Sequence, residues 1–198
     1  HPSTSEGEEN VIFDHPTPLD SQGTISRLFD SLKNIEGDFK IIVIAAAAHE
    51  SIESKVHCKV AEILRPYAMD FKIFLVSPSN ISSVRNLFPE LDLKLNSYGN
   101  IRNIQLIIPF ICGASLVIGI DDDEIITEKH YISHVLDSFH INSHTGGTAG
   151  PYLDKNGEYK ISGAEELMHE NNIFLRKNYY MNEALKKYTE QGNIVRSN

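Results

Sequence analysis

Ile41, Ile42, Val43 and Ile44 form an unbroken β-branched run inside the apolar span from Phe39 to Ala48. A strand that is apolar at every position has to be covered on both faces, the usual situation in parallel sheets flanked by helices. Helical periodicity lies on either side. Ile25, Leu28, Phe29, Leu32 and Ile35 precede the run at i, i+3, i+4 and i+7 spacing, and Gly37 and Asp38 end that pattern. Ile52, Val56, Val60, Ile63 and Leu64 follow it and stop at Pro66, after which Phe71 to Val76 reads as another strand. Strands alternating with helices predict an α/β fold.

The alternation extends in both directions. Val11, Ile12 and Phe13 make a short strand that stops at a loop containing Pro16 and Pro18. Beyond Ser77 to Asn80, Ser82 to Phe88 reads as a short helical link and Leu91 to Leu95 as a small edge strand. A helix from Ile101 to about Ile111 follows, with a kink or early end expected at Pro109. Ser115 to Ile120 reads as a buried strand, and Glu128 to His140 as a helix built on Tyr131, Ile132, Val135, Leu136 and Phe139. Ser143 to Gly150 is a glycine-rich loop, Pro151 to Ile161 a hairpin around Asp154 to Gly157, and Ala164 to Tyr188 a polar, mostly helical segment. The first ten residues read as a disordered tail and 11–198 as one domain.

Composition narrows the function. The 198 residues are 41% hydrophobic and 23% charged, ordinary for a globular protein, and carry a net charge of −9. A broad nucleic-acid surface is excluded, because it needs clustered Lys and Arg. The two cysteines, Cys58 and Cys112, fall in apolar helical patterns and predict buried reduced thiols, as expected of a cytoplasmic protein. The longest apolar stretch without charge, Ile104 to Ile120, falls short of the ~18 residues of a membrane span and is interrupted by Pro109 and Gly113. The acidic start has neither the basic nor the apolar region of a signal peptide.

Asp121, Asp122, Asp123 and Glu124 follow Ile120 without a break. Like charges so close repel unless solvent or a cation screens them. A divalent metal would relieve the repulsion, and the carboxyl ends of strands in an open α/β sheet are where ligands bind. If the strand runs on through the acids, Asp121 and Asp123 point the same way and Asp122 away, while Glu124 begins the turn to the next helix.

Three segments in order, Val11 to Thr17, Gly99 to Asn103 (Gly-x-x-Arg-Asn) and Ile118 to Glu124 (containing Asp-x-Asp), set on this β/α pattern, resemble the family-2-like glycosyltransferases with the A-type nucleotide-sugar fold. The resemblance covers about Val11 to Phe139. It implies a Rossmann-like, doubly wound, mostly parallel sheet, with the C-terminal hairpin and helical segment appended. It also implies a nucleotide-sugar part at about 11–140 and an acceptor-side or lid part at about 141–198. By the same resemblance, Pro16 and Thr17 touch the base, Arg102 lies near the nucleotide, and Asp121 and Asp123 hold ribose and metal, with Asp122 counted in the same nucleotide-sugar-binding segment. The family's acid after the second strand is replaced here by Ala45 to Ala48, which leaves Glu50 as the substitute.

The implied activity is transfer of a sugar from a nucleoside-diphosphate sugar to an acceptor (saccharide, lipid or small molecule), with Mn²⁺ or Mg²⁺ as cofactor. Physically, such a cation binds carboxylate and diphosphate oxygens together, and the Arg102 fork of donors suits phosphate. His144 and His169 are secondary candidates for the metal, and Asp154, Glu158 and Glu165 for a catalytic base. His130 and His134 read as surface helix positions, and Glu165 and Glu166 as acids favouring a helix start. The glycines of 144–150 would allow a lid. Two other readings stand beside this one. A nucleotidyltransferase lacks support in the loop after the first strand, which has no glycine-rich basic character; a non-catalytic nucleotide-sugar-binding domain draws support from the missing acid. The sequence names neither sugar, nucleotide, acceptor nor stereochemical outcome.

Overall fold

A computed structural model describes residues 17–141, 146–150, 153, 158, 163–169 and 171–190. Their elements are α1 (Ile25–Leu32), β1 (Ile41–Ile44), α2 (Glu53–Leu64), β2 (Ile73–Val76), α3 (Pro78–Leu87), α4 (Tyr98–Ile111), α5 (Tyr131–Ile141) and α6 (Ile173–Glu190). Short 3₁₀ turns occupy Glu50–Ile52, Arg65–Tyr67 and Ala164–His169. Contacts divide the chain into two units: the first takes in residues 17–34 and Asp38–Ile126, the second Ile35–Gly37 and Thr127 onward.

The first unit is mixed α/β. β1 and β2 pair in parallel, with Ile41 opposite Ile73 and Ile44 opposite Val76. Successive side chains in a strand point to opposite faces, and the core follows that period. Ile42 and Ile44 pack with Val76, Ile81, Val84, Ile104 and Ile108 of β2, α3 and α4. Ile41 and Val43 pack on the other face with Phe29, Leu64 and Tyr67. Helices therefore cover both faces, as the β-branched run predicts. Burial is deepest on the α3/α4 side, where Val76 and Ile104 are fully enclosed, worth about 1.5–3 kcal/mol each by transfer from water.

Three expectations change. The helix expected at Ser82 to Phe88 begins earlier, at Pro78, because Ser77 makes a reciprocal cap: Asn80 N–H donates to Ser77 Oγ at 3.1 Å and Ser77 N–H to Asn80 Oδ1 at 2.9 Å. Pro78 at the first helical position costs no hydrogen bond. Leu91 to Leu95 forms no strand. It buries Leu93 and Leu95 and is tied past the end of β1 by Ala47 N–H donating to the Leu95 carbonyl at 2.9 Å, without a ladder. The third change is at Ser115 to Ile120, which forms no strand; Leu116, Ile118 and Ile120 are half-buried while Val117 and Gly119 are exposed. The alternating burial has the period of a strand, but no ladder partner exists among the described residues. The expected first strand, Val11 to Phe13, lies outside them.

α4 runs from Tyr98 through Pro109 to Ile111, so the proline neither breaks nor shortens it before its last turn. The helix stops at Gly113, whose φ of +75° takes the left-handed conformation that glycine adopts freely. Both cysteines are exposed, which corrects the expected burial: Cys58 lies on the solvent side of α2, and Cys112 is the residue just after α4.

In the second unit, Ile35 is buried and Gly37 comes close to Ile132 of α5. α5 begins at Tyr131, three residues later than the sequence pattern suggests. α6 packs on the Ala164–His169 turn, with Ala164 fully enclosed and Asn182 buried. Most of the expected 151–161 hairpin lies outside the described residues. No helix among the described residues is long and apolar enough to cross a membrane.

Candidate functional site

The four acids form a compact turn rather than the continuation of a strand. Glu124 N–H donates to the Asp121 carbonyl at 3.2 Å, and Asp121 N–H donates to the Glu124 carboxylate at 3.1 Å. The chain therefore reverses within four residues. Asp121 and Asp123 are not held parallel by strand alternation, as expected above, because the backbone turns at Asp122 and Asp123.

Two helices of the first unit hold the turn. Thr24, the residue that caps the start of α1, directs its hydroxyl not to the helix but to Asp122 Oδ2 at 2.7 Å. Just past the turn, Ile126 N–H donates to Ser31 Oγ of α1 at 3.1 Å, and Ser31 donates to the Leu28 carbonyl. Asp122 thus sits at the positive end of α1, where a carboxylate is favoured. Its side chain is engaged by Thr24, whereas that of Asp121 is engaged by Arg102.

From α4, Arg102 reaches Asp121, with both terminal guanidinium nitrogens 3.4 Å from the carboxylate oxygens. Arg102 also donates to Tyr98 Oη and Gln105 Oε1, each at 3.1 Å, and its guanidinium carbon stands 5.2 Å from the Tyr98 ring centroid. The hydrogen bond to Tyr98 raises the Arg102 pKa, the neighbouring Asp121 adds to this, and burial opposes it. Arg102 stays fully charged. At about 45% exposure for both partners, its pair with Asp121 is worth roughly 0–1 kcal/mol, so the guanidinium is held near the acids without being locked there. Asp123 is exposed, and its carboxylate has no hydrogen-bond partner among the described residues.

The proline loop also reaches this neighbourhood. Gly23 adopts φ +64°, and a Cβ placed on it would lie 3.0 Å from Thr17 Cγ2. Thr17 is therefore folded against the residue preceding Thr24, two links from Asp122. Pro16 lies outside the described residues. Arg102, Asp121, Asp122 and Asp123 meet at one turn, and Thr17 lies in the same unit, against Gly23. Sequence reasoning missed Thr24 and Tyr98. The i, i+4 spacing of Tyr98 and Arg102 was the available signal for the second; nothing local marks Thr24 as a partner of an acid 98 residues away.

Glu50 opens the 3₁₀ turn after β1 and is exposed. Its neighbour Glu53 has a raised pKa, first from burial and then from the Glu50 charge, offset by Arg85 and a hydrogen bond from the Leu95 backbone. Within the second unit, Glu158, Glu165 and His169 are exposed. Asp154 and His144 lie outside the described residues. His130 is exposed as expected, though it lies in the turn before α5 and not on the helix, and His134 is half-buried with its Nδ1 enclosed without a hydrogen-bond partner.

Among the described residues, no group of three or more His, Cys, Asp and Glu side chains is arranged to hold a metal. A protein cage is not what a nucleotide-linked Mg²⁺ requires. Such an ion keeps waters and takes one or two carboxylates together with substrate phosphates. The exposed carboxylates of Asp121 and Asp123 fit that limited role. In comparisons with known proteins, no family model, no curated protein and no solved structure matches the chain.

Proposed function

We propose that the protein is a metal-dependent glycosyltransferase that takes a sugar from a nucleoside-diphosphate donor. The observation carrying this reading is the Arg102–Asp121 pair: one always-charged guanidinium at the edge of a four-acid turn. A diphosphate with its Mg²⁺ or Mn²⁺ is a ligand that needs both signs of charge side by side, carboxylates for the cation and a guanidinium for phosphate oxygens. The two-stranded parallel sheet with helices on both faces supports the same reading, as the centre of a Rossmann-like doubly wound fold. In that fold the ligand lies at the carboxyl ends of the strands.

In this proposal Asp123 and Asp121 hold the cation, which when bound neutralises charge on the departing diphosphate. Arg102 turns its donors from Asp121 to the phosphates, and Tyr98 keeps the guanidinium over the site while it does so. Asp122 and Thr24 fix the turn against α1, and Glu124 closes it through the Asp121 N–H. Thr17 and Pro16 border the base, with Glu50 on the side of β1. Acceptor activation needs a carboxylate within hydrogen-bond reach of the attacking hydroxyl, a role for which Glu158, Glu165 and Asp154 are the candidates. His144 and His169 are the further candidates for the metal.

A thermal-shift panel of UDP-, GDP-, ADP- and CMP-linked sugars with and without Mn²⁺ tests the reading. A ligand that binds only the folded state raises apparent stability, so one nucleotide should raise Tm, and only when Mn²⁺ is present. No metal-dependent shift with any of them overturns the proposal. Donor binding without transfer to any acceptor in a screen would retain the site but make the chain a nucleotide-sugar-binding domain.

A further inference from the structure

We draw no further inference here: the strongest candidate, the exposed apolar face of α4 that carries Leu106 and Phe110, supports none because nothing in the structure shows what covers it.

Discussion

Two junctions concentrate charge, and they use their acids differently. In the second unit, Glu36 is closed off: one oxygen lies 2.7 Å from Lys129 Nζ, the other 3.2 Å from His130 Nδ1, and its N–H donates to the Lys129 carbonyl. In the first unit, one acid of four, Asp121, meets a guanidinium, at 3.4 Å, and Asp123 has no hydrogen-bond partner among the described residues. One carboxylate with a lysine and an imidazole against its two oxygens is already satisfied. Four carboxylates with one cation leave negative charge unanswered, and that surplus makes the acid turn, and not Glu36, a place for a metal and its phosphate ligand.

The largest effect expected on this comparison comes from removing the support of the acid turn. Ile104, on the core face of α4 two residues from Arg102, is fully buried. Ile104→Ala should cost about 2–5 kcal/mol, read as a lower urea midpoint, because the cavity cannot collapse between α4 and β2. Glu36 belongs to the other unit, so amide resonances around Glu36 and Lys129 should hold their native positions in conditions where the variant remains folded. If both regions shift together, the two junctions are coupled and the contrast fails.

Next comes a test of the surplus charge itself. Asp123→Ala should weaken Mn²⁺-dependent nucleotide binding by about tenfold or more in calorimetry, the scale of a lost metal ligand or its outer-shell partner. Glu36→Ala should leave that binding unchanged. Equal losses in the two variants would mean that general negative charge, not the position of Asp123, attracts the cation.

How much of this was legible in the sequence follows from the range of each interaction. Period-two and period-3.6 patterns report on local burial, so β1, β2 and helices α1, α2, α4 and α5 were readable from spacing alone. The β1 run even announced its cover on two faces, because no position of Ile41 to Ile44 is polar. Ser115 to Ile120 shows the limit. Its alternating burial is that of a strand, but a strand also needs a partner at 4.7–4.9 Å, and no side-chain pattern specifies the presence of that ladder. The candidate site divides the same way. Asp121 to Glu124 stood out as a local run of charge; Arg102, 19 residues from Asp121, entered only through the family resemblance, and Thr24, 98 residues from Asp122, did not stand out at all. The common direction expected of Asp121 and Asp123 was misjudged, because a turn and not a strand runs through the acids. Glu124 was placed at the turn, but its bond back to the Asp121 N–H depends on a chain reversal that composition does not encode.

A smaller effect distinguishes the long Arg102–Asp121 contact from the shorter Glu36–Lys129 contact. Arg102→Gln removes an exposed pair, so stability should change by no more than about 1 kcal/mol. Binding of inorganic pyrophosphate in the presence of Mn²⁺ should nonetheless fall about tenfold, the scale of a hydrogen bond to a charged group. Lys129→Gln should leave pyrophosphate binding untouched. A large stability loss in Arg102→Gln with unchanged pyrophosphate binding would make the guanidinium a structural brace and take it out of the proposed site.

The smallest effect is in the pH dependence, where two glutamates should act with opposite sign. Lys129, through its hydrogen bond, lowers the Glu36 pKa below the ordinary glutamate range, and its charge and that of His130 add to this. The folded state therefore prefers the ionised form; the contribution is present above the unfolded value and lost as pH falls through the lowered one. Glu53 is the reverse. Burial and then Glu50 raise its pKa, so its contribution is complete below the unfolded value and lost as pH rises through the raised one. Carboxyl titration by NMR should place Glu36 below and Glu53 above the ordinary value. Glu36→Gln should flatten the acid side of the stability profile, and Glu53→Gln should remove the loss at slightly higher pH. Metal binding at the acid turn should leave the Glu36 titration where it was, since Glu36 is already paired with Lys129. A Glu36 titration that moves when Mn²⁺ is added would show that the satisfied junction still answers to the unsatisfied one.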